Sequence, residues 1–252
     1  MSFAVAPEAY TRFMGRYSVP LAGQLVEFLD PPAGWRAVDV GCGPGALTAL
    51  LVERLGRPAV GAIDPSEPFV RAVRERFPGL DVRHGVAEDL PYADDDFDLA
   101  LAQLVVHFMT DPIAGLREMG RVTRSGGLVA ASVWDYRGDR APISPFWRAV
   151  RDMDPSATGE SDLAGAGEGE LVELFGAAGL RDVRQGVLTV NARFTDFDDW
   201  WEPFTLGVGP AGAHFARLDA AQRAELKQRC ATLLPSPPFE IEARAWVATG
   251  RP

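Results

Sequence analysis

The chain alternates between two hydrophobic rhythms. Short apolar runs at 37–40, 60–63, 80–86, 97–104 and 128–134 have the length of buried strands, and stretches with apolar residues three and four apart lie between them. Leu47, Leu50, Leu51 and Leu55 set the helical spacing after the first run, and Ile113, Leu116 and Met119 set it before the fifth. Ser66 is placed to cap a helix that Pro78-Gly79 ends, and Asp111-Pro112 is a cap followed by proline in the first turn. Strand and helix alternating in this way predict a parallel, doubly wound sheet.

Both flanks depart from that rhythm. Before residue 37 the pattern predicts two helices, 8–16 with Tyr10, Phe13, Met14 and Tyr17 at or near its apolar side, and 21–29, opened by Pro20 and stopped by Pro31-Pro32. After Trp134 the alternation breaks. Scattered aromatics, Pro and Gly over 135–166 read as an insertion, followed by a helix at 168–178 and strands at 181–194 and 239–249. Asp219 and Gln222 form a capping-box pattern for a helix at 219–234.

The first strand ends in Gly41-Cys42-Gly43-Pro44-Gly45, and a helix follows. Glycines at every second position let the backbone turn sharply and come close to a ligand, which a helix N-terminus then faces. Asp64 closes the second strand nineteen residues past Gly45, where a carboxylate can accept hydrogen bonds from both hydroxyls of a ribose. Gly41-x-Gly43-x-Gly45 is not the spacing of a dinucleotide turn, and Asp39, inside the strand, would repel a pyrophosphate but suits a cationic ligand. On the residues, then, this is a nucleotide crevice biased toward positive charge.

The string Val38-Asp39-Val40-Gly41-Cys42-Gly43-Pro44-Gly45 resembles the first motif of the class I S-adenosylmethionine-dependent methyltransferases, and the likeness is specific over 35–134. It implies a Rossmann-like α/β fold: a doubly wound, mostly parallel seven-stranded sheet closed by an antiparallel strand, here 239–249. Three regions follow within one domain, an N-terminal helical lid (1–36), a cofactor-binding core (37–134) and cap insertions with the remaining strands (135–252). The cofactor implied is S-adenosyl-L-methionine. Its contacts are expected from Asp39, Gly41, Cys42, Gly43, Asp64, Pro65, Ala87, Glu88, Gln103, Leu104 and His107, with Tyr10, Arg16 and Tyr17 from the lid, Arg16 toward the methionine carboxylate. Val86 stands where the family commonly has an aspartate that meets adenine, leaving that role to the backbone at Ala87 and Glu88 or to the Glu88 side chain.

Charge narrows the partners. Lys and Arg number 25 against 35 Asp and Glu, a net charge of −10, and Lys227 is the only lysine. That balance argues against nucleic-acid phosphates, which call for clustered cations. Cys42 and Cys230 form no metal pattern, and no run of about 18 apolar residues or signal-peptide core occurs, so a cytoplasmic protein without membrane or metal is expected. The expected partner is a small-molecule acceptor, lipophilic or aromatic and of secondary metabolism, with Trp134, Tyr136, Phe146, Trp147, Trp200, Trp201 and Phe204 available to line its pocket. His107, just past the fourth strand, is the candidate base, since an ordinary imidazole titrates near neutrality at about 6.5. Two alternatives stay open: a protein that binds S-adenosylmethionine without turnover, and a nicotinamide oxidoreductase.

Overall fold

The computed structural model describes residues 6–252. Along the chain run α1 (Pro7–Leu29), β1 (Ala37–Val40), α2 (Ala46–Leu55), β2 (Val60–Asp64), α3 (Glu67–Arg76), β3 (Asp81–His84), β4 (Phe97–Gln103), α4 (Pro112–Val122) and β5 (Thr123–Trp134). Beyond these follow α5 (Ser144–Met153), α6 (Glu170–Ala177), β6 (Arg181–Phe194), α7 (Phe197–Trp201), α8 (Gly209–Arg217), α9 (Ala220–Leu233) and β7 (Phe239–Arg251). The described residues form one seven-stranded sheet in the order β3-β2-β1-β4-β5-β7-β6. β1 to β5 are parallel, and β7 runs antiparallel to both of its neighbours. The mostly parallel sheet read from the sequence is therefore mixed at one edge.

Side chains alternate between faces along each strand. In β4, Leu99 and Leu101 join the core beneath α1, α2 and α3, while Ala100 and Ala102 join the opposite core with Leu116, Met119, Leu171 and Phe175. A parallel sheet must be buried on both faces, and the helices divide between its two sides to do it, α1 to α3 on one and α4 and α6 on the other.

The N-terminal segment differs from expectation. α1 is one continuous helix with Pro20 inside it, not two helices. A proline removes one helical hydrogen bond and crowds the preceding turn, but Tyr17, Leu21 and Leu25 lie buried on one face across it. Burial of Leu21 and Leu25, each worth about 1.5–3 kcal/mol, offsets that loss. The third strand is also shorter than expected, and β5 begins five residues early, at Thr123. Gly127 makes that start possible, since a Cβ there would stand 2.6 Å from the Asp98 carbonyl oxygen.

β6 and β7 pair along their whole length, from Arg181 with Arg251 to Phe194 with Phe239, whereas β5 reaches only Ala245. Their distal halves thus project past the C-terminal end of β5. The aromatic cluster of Phe146, Trp200, Trp201 and Phe204 packs in the same core as this extension. Phe146 and Phe204 stack with centroids 4.6 Å apart. No helix among the described residues is long and apolar enough to cross a membrane.

Candidate active site

Sheet order reverses between β1 and β4, and in such sheets ligands bind outside the carboxyl ends of the strands on either side of the reversal. A cavity of about 360 Å³ opens there, lined by residues at or just past the ends of β1, β2, β3 and β4, among them Gly41, Asp64, Gly85 and Gln103.

The glycine turn builds one wall. Gly41, Gly43 and Gly45 all adopt positive φ, at 73°, 52° and 85°. Gly41 and Cys42 both donate backbone hydrogen bonds to the Ile63 carbonyl, at 2.8 and 3.0 Å, which ties the turn to β2. A Cβ on Gly41 would meet Val105 at 2.4 Å, so that glycine serves close packing. A Cβ on Gly43 would meet nothing within 4 Å. Gly43 lines the cavity, and its missing side chain leaves space a ligand can use.

Asp64 anchors the same wall. Its Oδ2 accepts from the Gly43 amide and its Oδ1 from the Ser66 amide, each at 2.8 Å. Burial holds its carboxyl above the usual range, and the two amide bonds pull it back. A carboxylate has about four lone-pair sites, so two remain for a ligand. Pro65, Ala87, Glu88, Gln103, Leu104 and Tyr10 also line the cavity. Tyr10 meets Phe69 edge-on at 5.5 Å, and burial followed by the charge of Asp64 pushes its hydroxyl up.

Gln103 donates to the Ser18 carbonyl at 2.9 Å, while its Oε1 is buried with no partner. Leu104 sits at φ 60°, a left-handed conformation that costs a branched residue roughly 1–2 kcal/mol. Its amide donates to the Ser132 carbonyl at 2.8 Å and holds it there. Backbone strain of this kind gathers at ligand sites.

Other expected residues lie elsewhere. Asp39 is buried beneath the turn and accepts from the Thr48 hydroxyl at 2.6 Å, with its carboxyl pushed up to about 7 chiefly by burial. Cys42 packs in the core, and burial drives its thiol well above the ordinary value. Tyr17 is buried against Trp134 and Phe194. Arg16 is engaged by both carboxylate oxygens of Asp199 and lies over the Phe194 ring. Glu88 does line the cavity, but its side chain accepts from the Thr110 and Asp111 amides, at 2.7 and 3.2 Å, and so fixes the approach to α4.

His107 occupies a one-turn 3-10 helix after β4, on a separate small chamber rather than on the main cavity. Burial lowers its imidazole to about 3, so it is neutral at pH 7. The sequence reading missed Glu160, buried on the same chamber and pushed by burial to about 7. Its position just before a Gly-rich stretch (165–169) carries no pattern that separates it from a surface carboxylate.

The charged residues on the main cavity are all acidic. Asp64, Glu67 and Glu88 line it, and no lysine or arginine does among the described residues.

Residues 38–131 match the family model of the methyltransferase domain. An uncharacterized methyltransferase of Mycobacterium tuberculosis is 36% identical over 140 residues, which are 56% of this chain and 54% of that protein. A chloroplastic 2-methyl-6-phytyl-1,4-hydroquinone methyltransferase of rice (Oryza sativa) is 33% identical over 154 residues, 59% of this chain and 40% of the relative. The chain thus spans about half the length, or less, of these relatives. The crystal structure of a S-adenosylmethionine-dependent methyltransferase of Thermotoga maritima superposes with a TM-score of 0.58 at 19% identity, over 97% of this chain and 99% of that one, which shows a shared fold. The glycine turn, Asp64 and the end of β4 all lie inside the segment that matches the methyltransferase-domain model, so it is in residues 38–131 that the chain is similar to methyltransferases.

Proposed function

We propose that this protein transfers a methyl group from S-adenosylmethionine to a small-molecule acceptor. The observation that carries the reading is the cavity's charge: three carboxylates and, among the described residues, no lysine or arginine, at the strand ends where this topology seats a nucleoside. Such a lining attracts a cationic, ribose-bearing ligand and repels a pyrophosphate, which sets a nicotinamide oxidoreductase aside. The open space at Gly43 and the unpartnered Gln103 Oε1 fit the same ligand.

When bound, the cofactor supplies a methyl group already activated by its sulfonium. Asp64 would accept from the ribose hydroxyls through its two remaining lone-pair sites. Gln103 Oε1 would accept from the ammonium, and Gly41 and Gly43 would let the backbone approach. Pro65, Ala87, Glu88 and Leu104 would flank the ligand, and Tyr10 would cover it from α1. Asp39 and Cys42 would support the turn from beneath, and Arg16 and Tyr17 would fix α1 in place. In this reading 37–134 hold the cofactor, the helix within 1–36 covers it, and 135–252 supply the acceptor side.

Methyl transfer is an in-line displacement, so the chain must align a nucleophile and exclude water. Orientation alone supplies effective molarities of roughly 10⁵–10⁸ M. An imidazole held near 3 is a weak base, so His107 would act as a hydrogen-bonding wall more than as a proton acceptor. A ring-bearing acceptor such as the hydroquinone in the rice relative's name is of the class proposed.

Calorimetry with S-adenosylmethionine, S-adenosylhomocysteine and NADH, followed by transfer of radiolabelled methyl to an acceptor panel, tests the reading. Binding of the first two and not of NADH, with turnover, is expected. NADH binding alone would overturn the cofactor, and tight binding with no turnover on any acceptor would favour a non-catalytic binder.

A further inference from the structure

A small chamber of about 30 Å³ adjoins the main cavity. Tyr10, Leu104 and Phe108 line both spaces, so the two meet at these side chains. A cavity that small holds roughly two water-sized groups, so it admits one functional group of a larger molecule.

Glu160 sits on this chamber at 3% exposure. Trp147 Nε1 donates to its Oε2 at 2.6 Å and the Tyr136 hydroxyl to its Oε1 at 3.2 Å. Both donors are neutral, and no cation pairs with Glu160 among the described residues. A buried carboxylate without a counter-charge is costly, and a glutamine would keep both contacts without that cost, its oxygen accepting from Trp147 and its NH₂ donating to the Tyr136 oxygen. Packing therefore does not account for the charge. A second observation points the same way: His107 Nδ1 and Trp134 Nε1, on residues lining the chamber, are buried and have no partner. The chamber offers unused hydrogen-bonding capacity, and no lysine or arginine lines it among the described residues.

We propose that this chamber seats the reacting group of the acceptor and that Glu160 selects its chemistry, a hydroxyl or amine that donates a hydrogen bond to the carboxylate rather than an anionic carboxylate or phosphate. The inference rests on the neighbouring cavity being the cofactor site. A hydroxyl or amine completes the lone pairs left on Glu160, whereas an anion would face a like charge with no cation to balance either one. Burial places the Glu160 carboxyl at about 7, so selection is best measured at pH 8, where it is ionised.

The test uses the full chain in two steps. Calorimetry first measures S-adenosylhomocysteine binding to the wild type and to Glu160→Gln, whose amide can still accept from Trp147 and donate to Tyr136. Ligand-observed NMR at pH 8 then measures phenol, benzylamine and benzoate on the S-adenosylhomocysteine-loaded protein. Phenol and benzylamine are expected to bind at least about tenfold tighter than benzoate. Glu160→Gln should shrink that ratio at least about fivefold and leave S-adenosylhomocysteine affinity within about twofold. Benzoate binding as tightly as phenol to the wild type overturns the proposal whether or not the variant folds. So does an unchanged ratio in a folded variant, or no probe binding. If S-adenosylhomocysteine itself fails to bind the wild type, the cavity reading fails and this inference falls with it. If it binds without discrimination among probes, only the inference fails.

Discussion

Asp64→Ala separates ligand binding from loop architecture, because Asp64 sits at the junction of both. In the wild type its two oxygens clamp the Gly43 and Ser66 amides at 2.8 Å each. Hydrogen bonds to charged groups are worth roughly 1.5–3 kcal/mol apiece, so losing both costs about 3–6 kcal/mol. For a protein of this size, each kcal/mol lowers Tm by about 2–4 °C, which makes a fall of at least about 6 °C the expected result in a thermal melt at pH 7. The ligand effect comes on top. The ribose would lose its two acceptors, and S-adenosylhomocysteine affinity should drop at least about tenfold, the equivalent of ~1.4 kcal/mol. Asp64→Asn divides the terms: its Oδ1 still accepts from one amide, while its NH₂ faces the other as a second donor. It should fall between wild type and alanine in Tm yet match alanine in ligand affinity. A Tm for Asp64→Ala within about 1 °C of wild type would refute the clamp. Unchanged affinity in a folded variant would move the ribose site elsewhere.

Further outcomes follow from the same geometry. Asp39 and Glu160 hold protons up to about 7 in the folded state and release them nearer their ordinary values when unfolded, so stability falls as pH rises from about 4.5 to 7 and then levels. His107, lowered to about 3, works the other way: it costs stability as pH drops below about 6.5, so the net decline is shallow to about 6.5 and steeper from there to 7. Melting curves across pH 5–8 should show it, Asp39→Asn should flatten it, and a Tm that rises steadily to pH 8 would contradict it. Gly43→Ala should cost only roughly 1–2 kcal/mol for its φ of 52° yet weaken S-adenosylhomocysteine at least tenfold, while Gly41→Ala should destabilise far more through Val105. Equal melting losses for the two would argue against a ligand at Gly43. Once an acceptor is in hand, His107→Asn should lower turnover by about tenfold, one hydrogen bond's worth, with no recovery at high pH. A loss of 10²–10⁴ recovered at high pH would instead mark His107 as the base.

The fold and the main cavity's frame were legible because their signals are local. Glycine spacing at 41–45 and the apolar runs that become β1, β2 and β4 act through backbone dihedrals and side-chain periodicity, which neighbouring residues set among themselves. Asp64 was legible for the same reason: its distance from the turn is a chain distance. The course of α1 through Pro20 was not, because the local penalty is overridden by burial of Leu21 and Leu25 against elements far along the chain.

Titratable residues show the limit most clearly. Arg16 reads as a free cation in sequence, but Asp199, 183 residues away, engages it. His107 reads as a base of ordinary pKa, and burial alone takes it to about 3. Glu160 reads as one acidic residue among many, until the fold sets it between Tyr136 and Trp147 in the space that His107 also lines. What a charge can do depends on the water removed from around it and on partners brought from elsewhere in the chain. Both are set by packing across the sheet and its extension, which is why the sequence determined the frame and only the tertiary structure decided the chemistry of the chamber.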